Sequence, residues 1–403
     1  MRRKEVQMKK KVLMGFLASL AIVSLFAGCG GKEETPQEEE PGLVVQQPVQ
    51  KEEEPTQQPQ PEEEEETGFS VIRDREVVDG KMQSYLTGEW KDESVVMRRP
   101  IAVMIPNNSP AMPQYGITRA SIIYEAPVEG RITRLMGIFE DFDDLDRIGP
   151  IRSSRDYFLY VALGYEAIYC NWGLARPYVE ELINRSSVQN ISAAVEGIYN
   201  PANEAYDRVS RPGYATEFTG YLMIDGLKKA VDRLEYDWEY DDAHVPPFTF
   251  VTEDAKAQDN YPDAEEASLV YPGGKSGNQG GYGAYNPYFE YHADEGVYYR
   301  YQNGKAQIDE IDSSQIKVSN VVFQYCHGEV RDDHDYLAFG VHGEGDAIVF
   351  TGGKVIRGTW KRLDGDSSPA KFYDENDEEI IFNQGKTWIC NIWKEYGEFV
   401  SYE

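Results

Sequence analysis

Short apolar segments separated by polar turns dominate the middle of this sequence. Uninterrupted apolar runs of this length predict buried strands, and they occur at 101–105, 121–124, 135–139 and 167–170. Apolar residues at helical spacing predict helices, and these fall at 154–165, 177–184 and 218–234. Because strands that alternate with helices are typical of layered α/β proteins, we predict an α/β domain over residues 76–242.

The last third of the chain alternates apolar and polar residues with a period of two, which predicts half-buried strands. The alternation is clearest at 288–291, 297–301, 321–325 and 347–350. Asn303-Gly304, Gly343-Glu344-Gly345 and Gly352-Gly353 have the composition of hairpin turns. Beyond the proline hinge at 245–247, we therefore predict a mainly antiparallel β domain over residues 248–403, which makes the whole protein α+β.

The N-terminus has the pattern of a lipoprotein signal. A basic start precedes an apolar run over 12–26, and Ala27-Gly28-Cys29 closes it. That run is short for a membrane span, and the small-small-Cys ending resembles a lipobox. We predict a signal peptide over 1–28, with Cys29 lipidated and the rest of the chain on the extracytoplasmic face of the membrane. The alternative is an uncleaved anchor in which Cys29 is an ordinary thiol.

Residues 29–70 are rich in glutamate, proline and glutamine. The segment carries runs of glutamate at 38–40, 52–54 and 62–66 and few apolar residues. A chain of this composition cannot bury enough apolar surface to offset the entropy lost on ordering. We predict a disordered acidic tether between the lipid anchor and the folded part.

Charge and cysteine content exclude several classes of function. The 403 residues carry a formal net charge of −30, so nucleic acid, whose phosphates such a surface repels, is not an expected partner. After Cys29, the cysteines Cys170, Cys326 and Cys390 lie in apolar runs and are interpreted as buried, with at most one disulfide. The sequence contains no CxxC and no pair of histidines at helical ligand spacing. We predict neither a metal site nor a cofactor.

The segment 148–158, IGPIRSSRDYF, combines a turn, two arginines and a helix start. The residue before Pro150 is disfavoured in a helical conformation, so the chain is expected to enter this segment extended. Ser153 or Ser154 is expected to cap a helix that begins near Ser154. Unpaired N–H groups and the helix dipole make such a start an anion site. Arg152 and Arg155 would add charge. The alternative is that both arginines pair with neighbouring carboxylates.

The segment 124–134, YEAPVEGRITR, predicts a hairpin centred on Glu129-Gly130. In that hairpin Glu125 would face Arg134 in a structural ion pair. Glu129 and Arg131, nearer the loop tip, are better placed to contact an external ligand.

These segments resemble the YerB-like lipoproteins of Gram-positive bacteria. The resemblance rests on RPIAVMI at 99–105, EAPVEGRITR at 125–134, IGPIRSSRDYF at 148–158 and GTWK at 358–361, and it spans nearly the whole folded part. It implies an anchored extracytoplasmic protein of two unlike domains. It implies no particular activity.

The sequence departs from the family pattern at several polar positions. Pro106-Asn107-Asn108, Asn171-Trp172-Gly173 and Gly213-Tyr214-Ala215 stand where the family tends to have Asp-Asn, His-Ala-Gly-Gly and Pro-His-Asn. A family histidine is also missing near Gln307, although Asp309 remains. A mechanism that needed those histidines would not operate here.

Two functions from different classes fit the sequence. The first is a binding module that recognises an anionic cell-envelope component or peptide through residues 152–155, with Asn107 and Asn171 orienting the ligand and Glu129 and Arg131 contacting it. The second is a hydrolase acting on wall glycan, with Glu125 or Glu129 as acid or base.

Overall fold

The structure is a computed structural model, and it describes residues 70–241, 243–275 and 280–403. The predicted signal peptide, Cys29 and all but the last residue of the tether lie outside the described residues. Among the helices of the described part, none has the length and apolar character needed to cross a membrane.

Most elements of the described part are strands. Those before residue 245 are β1 (Lys81–Gln83), β2 (Trp90–Asp92), β3 (Ile101–Pro106), β4 (Ile122–Val128), β5 (Ile132–Phe139), β6 (Arg147–Ile148), β7 (Ile168–Asn171), β8 (Asn190–Ser192), β9 (Tyr206–Arg208) and β10 (Gly220–Met223). The next eight are β11 (Thr249–Phe250), β12 (Glu265–Glu266), β13 (Leu269–Tyr271), β14 (Tyr288–His292), β15 (Val297–Gln302), β16 (Lys305–Ala306), β17 (Lys317–Val318) and β18 (Asn320–Cys326). The last are β19 (Gly328–Val330), β20 (Leu337–Phe339), β21 (Gly343–Thr351), β22 (Lys354–Arg362), β23 (Lys371–Asp374), β24 (Ile381–Phe382), β25 (Thr387–Trp393) and β26 (Ser401–Tyr402).

Helices are few and short. The α-helices are α1 (Glu93–Val96), α2 (Asp156–Gly164), α3 (Arg176–Ile183) and α4 (Ile224–Leu234). Short 3₁₀ helices lie at Ser109–Ala111, Ile117–Arg119, Asn203–Ala205, Thr216–Phe218, Ala257–Asn260 and Lys394–Phe399. The described part is thus mostly sheet with a few helices.

One long sheet passes through both predicted domains. Its strands lie in the order β12, β22, β21, β18, β25, β4, β5, β3, β7 and β8, and β23 pairs with β22. β25, close to the C-terminus, runs parallel to both β18 and β4 and joins the two halves. The predicted boundary near residue 245 stays a prediction, while the residues on either side of it share this sheet.

The central strands are apolar without interruption because the sheet is covered on both faces. All six residues of β3 are buried. Ala102 and Met104 pack into one apolar cluster, and Ile101, Val103 and Ile105 pack into another. Since successive side chains of a strand point to opposite faces, the two clusters lie on opposite sides of the sheet.

Three predictions about local structure are corrected. α2 begins at Asp156, with Arg155 at the N-cap and no side-chain cap, so neither Ser153 nor Ser154 caps it. α4 begins at Ile224, because residues 220–223 pair with β6 and β9. Gly343 to Gly345 belong to β21 and pair with β22, so they do not form a turn.

Candidate functional site

The two motif segments of the first domain, 124–134 and 148–158, meet at one end of the central strands of the long sheet. Arg155 donates from Nε to Oε1 of Glu129 over 2.9 Å, and its Nη2 donates to the other carboxylate oxygen. Arg134 Nη1 donates to the backbone oxygen of Ser153 over 2.6 Å. The hairpin β4–β5 and the start of α2 therefore form a single cluster of charged groups.

Backbone hydrogen bonds fix residues 152–154 beside the carboxyl ends of two parallel strands. The Arg152 N–H donates to the oxygen of Met104 near the end of β3, over 2.9 Å. The Ser154 N–H donates to the oxygen of Gly173, just after β7, over 2.8 Å. Because β3 and β7 are parallel, α2 starts where both strands end. In open sheets that contain parallel strands, ligands commonly bind outside the carboxyl ends of the strands.

Positive charge accumulates at this edge despite the acidity of the chain. Burial, together with the charges of Arg155 and Arg152, lowers the pKa of Arg134 to about 9. Burial alone would raise the pKa of Glu129, but the hydrogen bond and charge of Arg155 outweigh it, and the net pKa is lowered. Glu129 therefore stays ionised. The charges of Arg155 and Arg152 lower the pKa of Arg134 further than burial alone would.

Arg152 and Arg155 occupy different environments. The Arg155 side chain is 9% exposed and also lies over the Tyr336 ring, 5.4 Å from its centroid. The Arg152 side chain is 25% exposed, and its Nη1 lies 2.7 Å from Oε2 of Glu217, whose side chain is 53% exposed. Arg155 is thus held inside the protein, whereas Arg152 faces solvent through an exposed ion pair.

The two serines of the motif and Arg131 have unlike surroundings. Ser154 is fully buried, and its hydroxyl lies 2.8 Å from the hydroxyl of Tyr169. Ser153 is half-buried and donates a long hydrogen bond of 3.4 Å to the oxygen of Trp172. Arg131 is exposed at the tip of the hairpin with a positive φ of 59°. Ser153 and Arg131 are accessible to a ligand, and Ser154 is not.

Asn107 and Asn171 both follow or end a strand at this edge, but their side chains bind the protein's own groups. Asn171 is fully buried, donates from Nδ2 to the oxygen of Gly173 over 2.7 Å, and accepts from Oγ of Ser192 over 2.7 Å. Asn107 is 1% exposed and donates from Nδ2 to Glu125 over 2.9 Å. Both side chains thus have a structural role in holding neighbouring groups, and their role as ligand-orienting groups stays a prediction.

Glu125 pairs with Arg300, and the predicted pair with Arg134 does not form. The strand register places Glu125 opposite Leu135, so Arg134 belongs to the other face of the hairpin. Arg300 Nη2 lies 2.9 Å from Oε2 of Glu125, and both side chains are fully buried. The carboxylate also accepts hydrogen bonds from Trp388 Nε1, Thr133 Oγ1 and Asn107 Nδ2.

Sequence reasoning missed the polar residues around Arg300. Gln302 and Gln307 both donate to Oδ1 of Asn107, over 2.8 and 3.2 Å. The guanidinium of Arg300 lies 4.6 Å from the Phe289 ring centroid and 4.5 Å from that of Trp388. The alternation of β15, in which Tyr298, Arg300 and Gln302 are buried, was the available signal, since it puts Arg300 on the inward face.

The three cysteines of the described part are buried, and its potential metal ligands do not cluster. Cys170, Cys326 and Cys390 are buried free thiols, as predicted for small apolar residues. Over residues 70–241, 243–275 and 280–403, no group of three or more His, Cys, Asp or Glu side chains is arranged to hold a metal ion.

Two family profiles match this chain, and together they cover more than half of it. Residues 86–237 match the family described as "Protein of unknown function (DUF3048) N-terminal domain". Residues 280–389 match the corresponding C-terminal domain. A curated relative, "Putative lipoprotein YerB" of Bacillus subtilis (strain 168), is 27% identical over 310 residues, which is 77% of this chain and 86% of the relative. The chain belongs to the YerB-like family.

A solved structure supports the fold of this YerB-like protein. The crystal structure of the YerB protein from Bacillus subtilis aligns with a TM-score of 0.65 at 22% identity, covering 80% of this chain and 99% of that one. This likeness concerns the fold, and the two family profiles confirm the family resemblance. The family description attaches no activity to the two domains.

Proposed function

We propose that this protein is a surface lipoprotein that binds an anionic group of the cell envelope, on a peptide or a polymer, at residues 152–155. The observation that carries the proposal is the convergence of Arg134, Arg152 and Arg155 at Ser153. Burial first, and then the charges of Arg155 and Arg152, lower the pKa of Arg134. Three arginines thus lie close together in a chain with net charge −30, and an anionic group placed among them would be stabilised.

Arg152 is the group best placed to meet an incoming anion. Its partner Glu217 is half-exposed, and exposed ion pairs contribute only about 0–1 kcal/mol. A ligand carboxylate or phosphate therefore displaces Glu217 at small cost and gains a charge-assisted hydrogen bond. The N–H groups at the start of α2 add a dipole contribution of roughly 0.3–1 kcal/mol.

Calorimetric titration of the full-length chain in detergent with inorganic phosphate tests this proposal. Arg152→Gln is expected to weaken binding about 10- to 100-fold, since a hydrogen bond between charged groups contributes ~1.5–3 kcal/mol. Glu217→Gln is expected to tighten binding, because it removes the competing carboxylate. Binding by the wild type should also weaken as salt is raised.

Arg176→Gln is the matched control. Arg176 is an exposed arginine that pairs with Glu180 and Glu196 but lies outside the motif, so its loss should leave phosphate affinity unchanged. Equal affinities of the wild type and Arg152→Gln, or no binding by the wild type at millimolar phosphate, would exclude the anion site.

The proposed anchor is a lipid on Cys29 that holds the protein on the extracytoplasmic face of the membrane. The lipobox-like ending of the signal supports this assignment, and so does the printed name of the relative, a lipoprotein. A radiolabelled fatty acid is expected to label the wild type and not Cys29→Ala.

The geometry favours binding over glycan hydrolysis. Glu125 has no exposed surface, and Arg300 and Trp388 both donate to it. Glu129 has a lowered pKa, whereas a general acid needs a raised one. Glu125 thus lacks the accessibility, and Glu129 the raised pKa, that a general acid acting on a sugar requires.

A further inference from the structure

A cavity of about 510 Å³ opens to solvent between three segments that are far apart in the sequence. The segments are the tip of the β4–β5 hairpin at 128–131, the β19–β20 hairpin at 330–337, and the end of β25 with the 3₁₀ helix that follows it. Two residues of the lining are exposed apolar groups, since Val330 is 53% exposed and Tyr396 39% exposed. The volume lies within the range of cavities that hold small ligands.

Trp393 and Tyr396 form an aromatic corner in the lining of this cavity. Their ring centroids lie 5.0 Å apart, and the planes of the two rings meet at 78°. The buried Phe339 also packs against Trp393, with the ring centroids 5.6 Å apart, and holds the half-buried indole in place. The face of an aromatic ring attracts cations, and aromatic rings set at an angle to one another are the walls of sites that hold organic ammonium groups.

Asp335 supplies an exposed carboxylate to the same lining. Within the described part of the chain this carboxylate takes part in no ion pair and no hydrogen bond, and only the backbone N–H of Asp335 is bonded, to the oxygen of Asp332. A ligand can therefore reach the carboxylate without breaking an internal contact. Glu129 lines the cavity too, but its carboxylate is bound to Arg155.

Charge favours a cation over an anion in this cavity. The turn at 332–335 has the sequence DDHD, and the whole chain carries a net charge of −30. Arg131 also belongs to the lining, from the exposed tip of the β4–β5 hairpin, and its charge opposes a cation. The potential of the acidic turn outweighs this single charge at the side of the cavity where Asp335 lies.

We propose that this cavity binds an organic ammonium group of the kind that a lysine side chain carries. The ammonium lies against the rings of Trp393 and Tyr396 and pairs with Asp335. The methylene groups of the same side chain pack on Leu337 and Val330. The aromatic corner, the free carboxylate and the apolar wall then each have a partner of complementary chemistry.

The probe is acetyl-lysine methylamide, titrated into the full-length chain in detergent. The matched ligand control is the norleucine analogue, which lacks the ammonium. The protein is labelled with fluorotryptophan, and the fluorine NMR signal of Trp393 is assigned by its loss in Trp393→Phe. We expect the lysine compound to shift this signal and to bind about tenfold more tightly than the norleucine analogue.

Substitutions in the lining separate the two parts of the site. Asp335→Asn should weaken binding of the lysine compound about three- to tenfold, and asparagine tolerates the positive φ of 60° at this position. Tyr396→Leu keeps an apolar side chain but removes the ring, and should weaken binding about tenfold. Asp333→Asn is the matched control, because Asp333 is an exposed aspartate of the same turn that lies outside the lining. Thermal unfolding of each variant checks that it is folded.

Loss of affinity in Asp335→Asn and Tyr396→Leu, with unchanged affinity in Asp333→Asn, supports the ammonium site. Unchanged affinity in Arg152→Gln also supports it and separates it from the anion site, since Arg152 is not part of the lining. Equal binding of the norleucine analogue would make the cavity an apolar site and overturn the proposal. Equal losses in Asp333→Asn and Asp335→Asn would reduce the effect to the overall charge of the turn. No shift at millimolar lysine compound, or a shift with N-acetylglucosamine alone, would likewise overturn it.

Discussion

Glu125 and Glu129 belong to the same hairpin and each meets an arginine, yet their environments give them opposite roles. Glu125 and Arg300 are both 0% exposed and join β4 to β15. Glu129 keeps 20% of its side chain exposed beside Arg155, and the neighbouring Arg152–Glu217 pair is more exposed still. Glutamate–arginine pairs in the interior of this protein are closed to solvent, whereas the pairs at the start of α2 are partly open to it.

The difference shows that burial, more than residue type, decides what an ion pair does. A charge without water depends wholly on its partner, so the interior pair cannot open without a large loss. A solvated charge loses little when its partner moves away, so Arg152 can part from Glu217 at small cost.

The largest effect is expected when the interior pair is broken. Arg300→Leu leaves the Glu125 carboxylate buried without its cation, and we expect the free energy of unfolding to fall by about 3–5 kcal/mol. Urea denaturation followed by circular dichroism measures this loss.

The double variant Glu125→Leu/Arg300→Leu is the control for that prediction, because it removes both charges. It should recover part of the lost stability, as replacing both members of a buried pair is often near neutral. A single variant as stable as the wild type would show that the pair is dispensable.

A middle-sized effect separates the two arginines of the edge. Arg155→Gln strands Glu129 in a largely buried position and should cost about 1–3 kcal/mol, whereas Arg152→Gln removes an exposed pair and should cost at most about 1 kcal/mol. Thermal unfolding of the two variants side by side measures the difference. Equal losses would mean that the environments of the two arginines do not differ as described.

The smallest effect concerns pH. The pKa of Glu129 is lowered from its ordinary value of 4.5, so its ion pair stabilises the fold fully above that pH and less as the pH falls through the pKa of the folded state. Glu129→Gln leaves Arg155 without its anion and should therefore be less stable than the wild type at pH 7, and this gap should narrow as the pH falls below 4.5. A gap that widened on acidification would contradict this assignment.

The sequence predicted the strands well because burial on both faces leaves an unbroken apolar run, as in β3. Five consecutive apolar residues at 101–105 predict a strand that is buried on both faces, as observed for β3. The start of α4 was missed, since the apolar residues at 220–223 fit a helix and a strand equally well. Their pairing with β6 and β9 decides between the two, and that contact is not local in the sequence.

The candidate site was predicted in its motifs but not in its contacts. Pairing of the arginines with neighbouring carboxylates was one of the alternatives left open by the sequence, and the structure identifies Glu129 as the partner of Arg155. The partner of Glu125 could not be inferred, because Arg300 lies 175 residues further along the chain. The predicted hairpin register, in which Glu125 faces Arg134, is also wrong by one residue. Glu125 lies opposite Leu135, and Arg134 therefore belongs to the other face of the hairpin.

The place of β25 has a consequence for how the protein is made. This strand lies near the C-terminus, yet it sits between β18 and β4 in the middle of the long sheet. Until residues 387–393 have been made, β18 and β4 each have a partner on one side only, β21 and β5, and the sheet cannot close. A chain exported through a membrane channel must stay unfolded during passage. With the proposed export, we expect the core to be completed only after residues 387–393 have crossed.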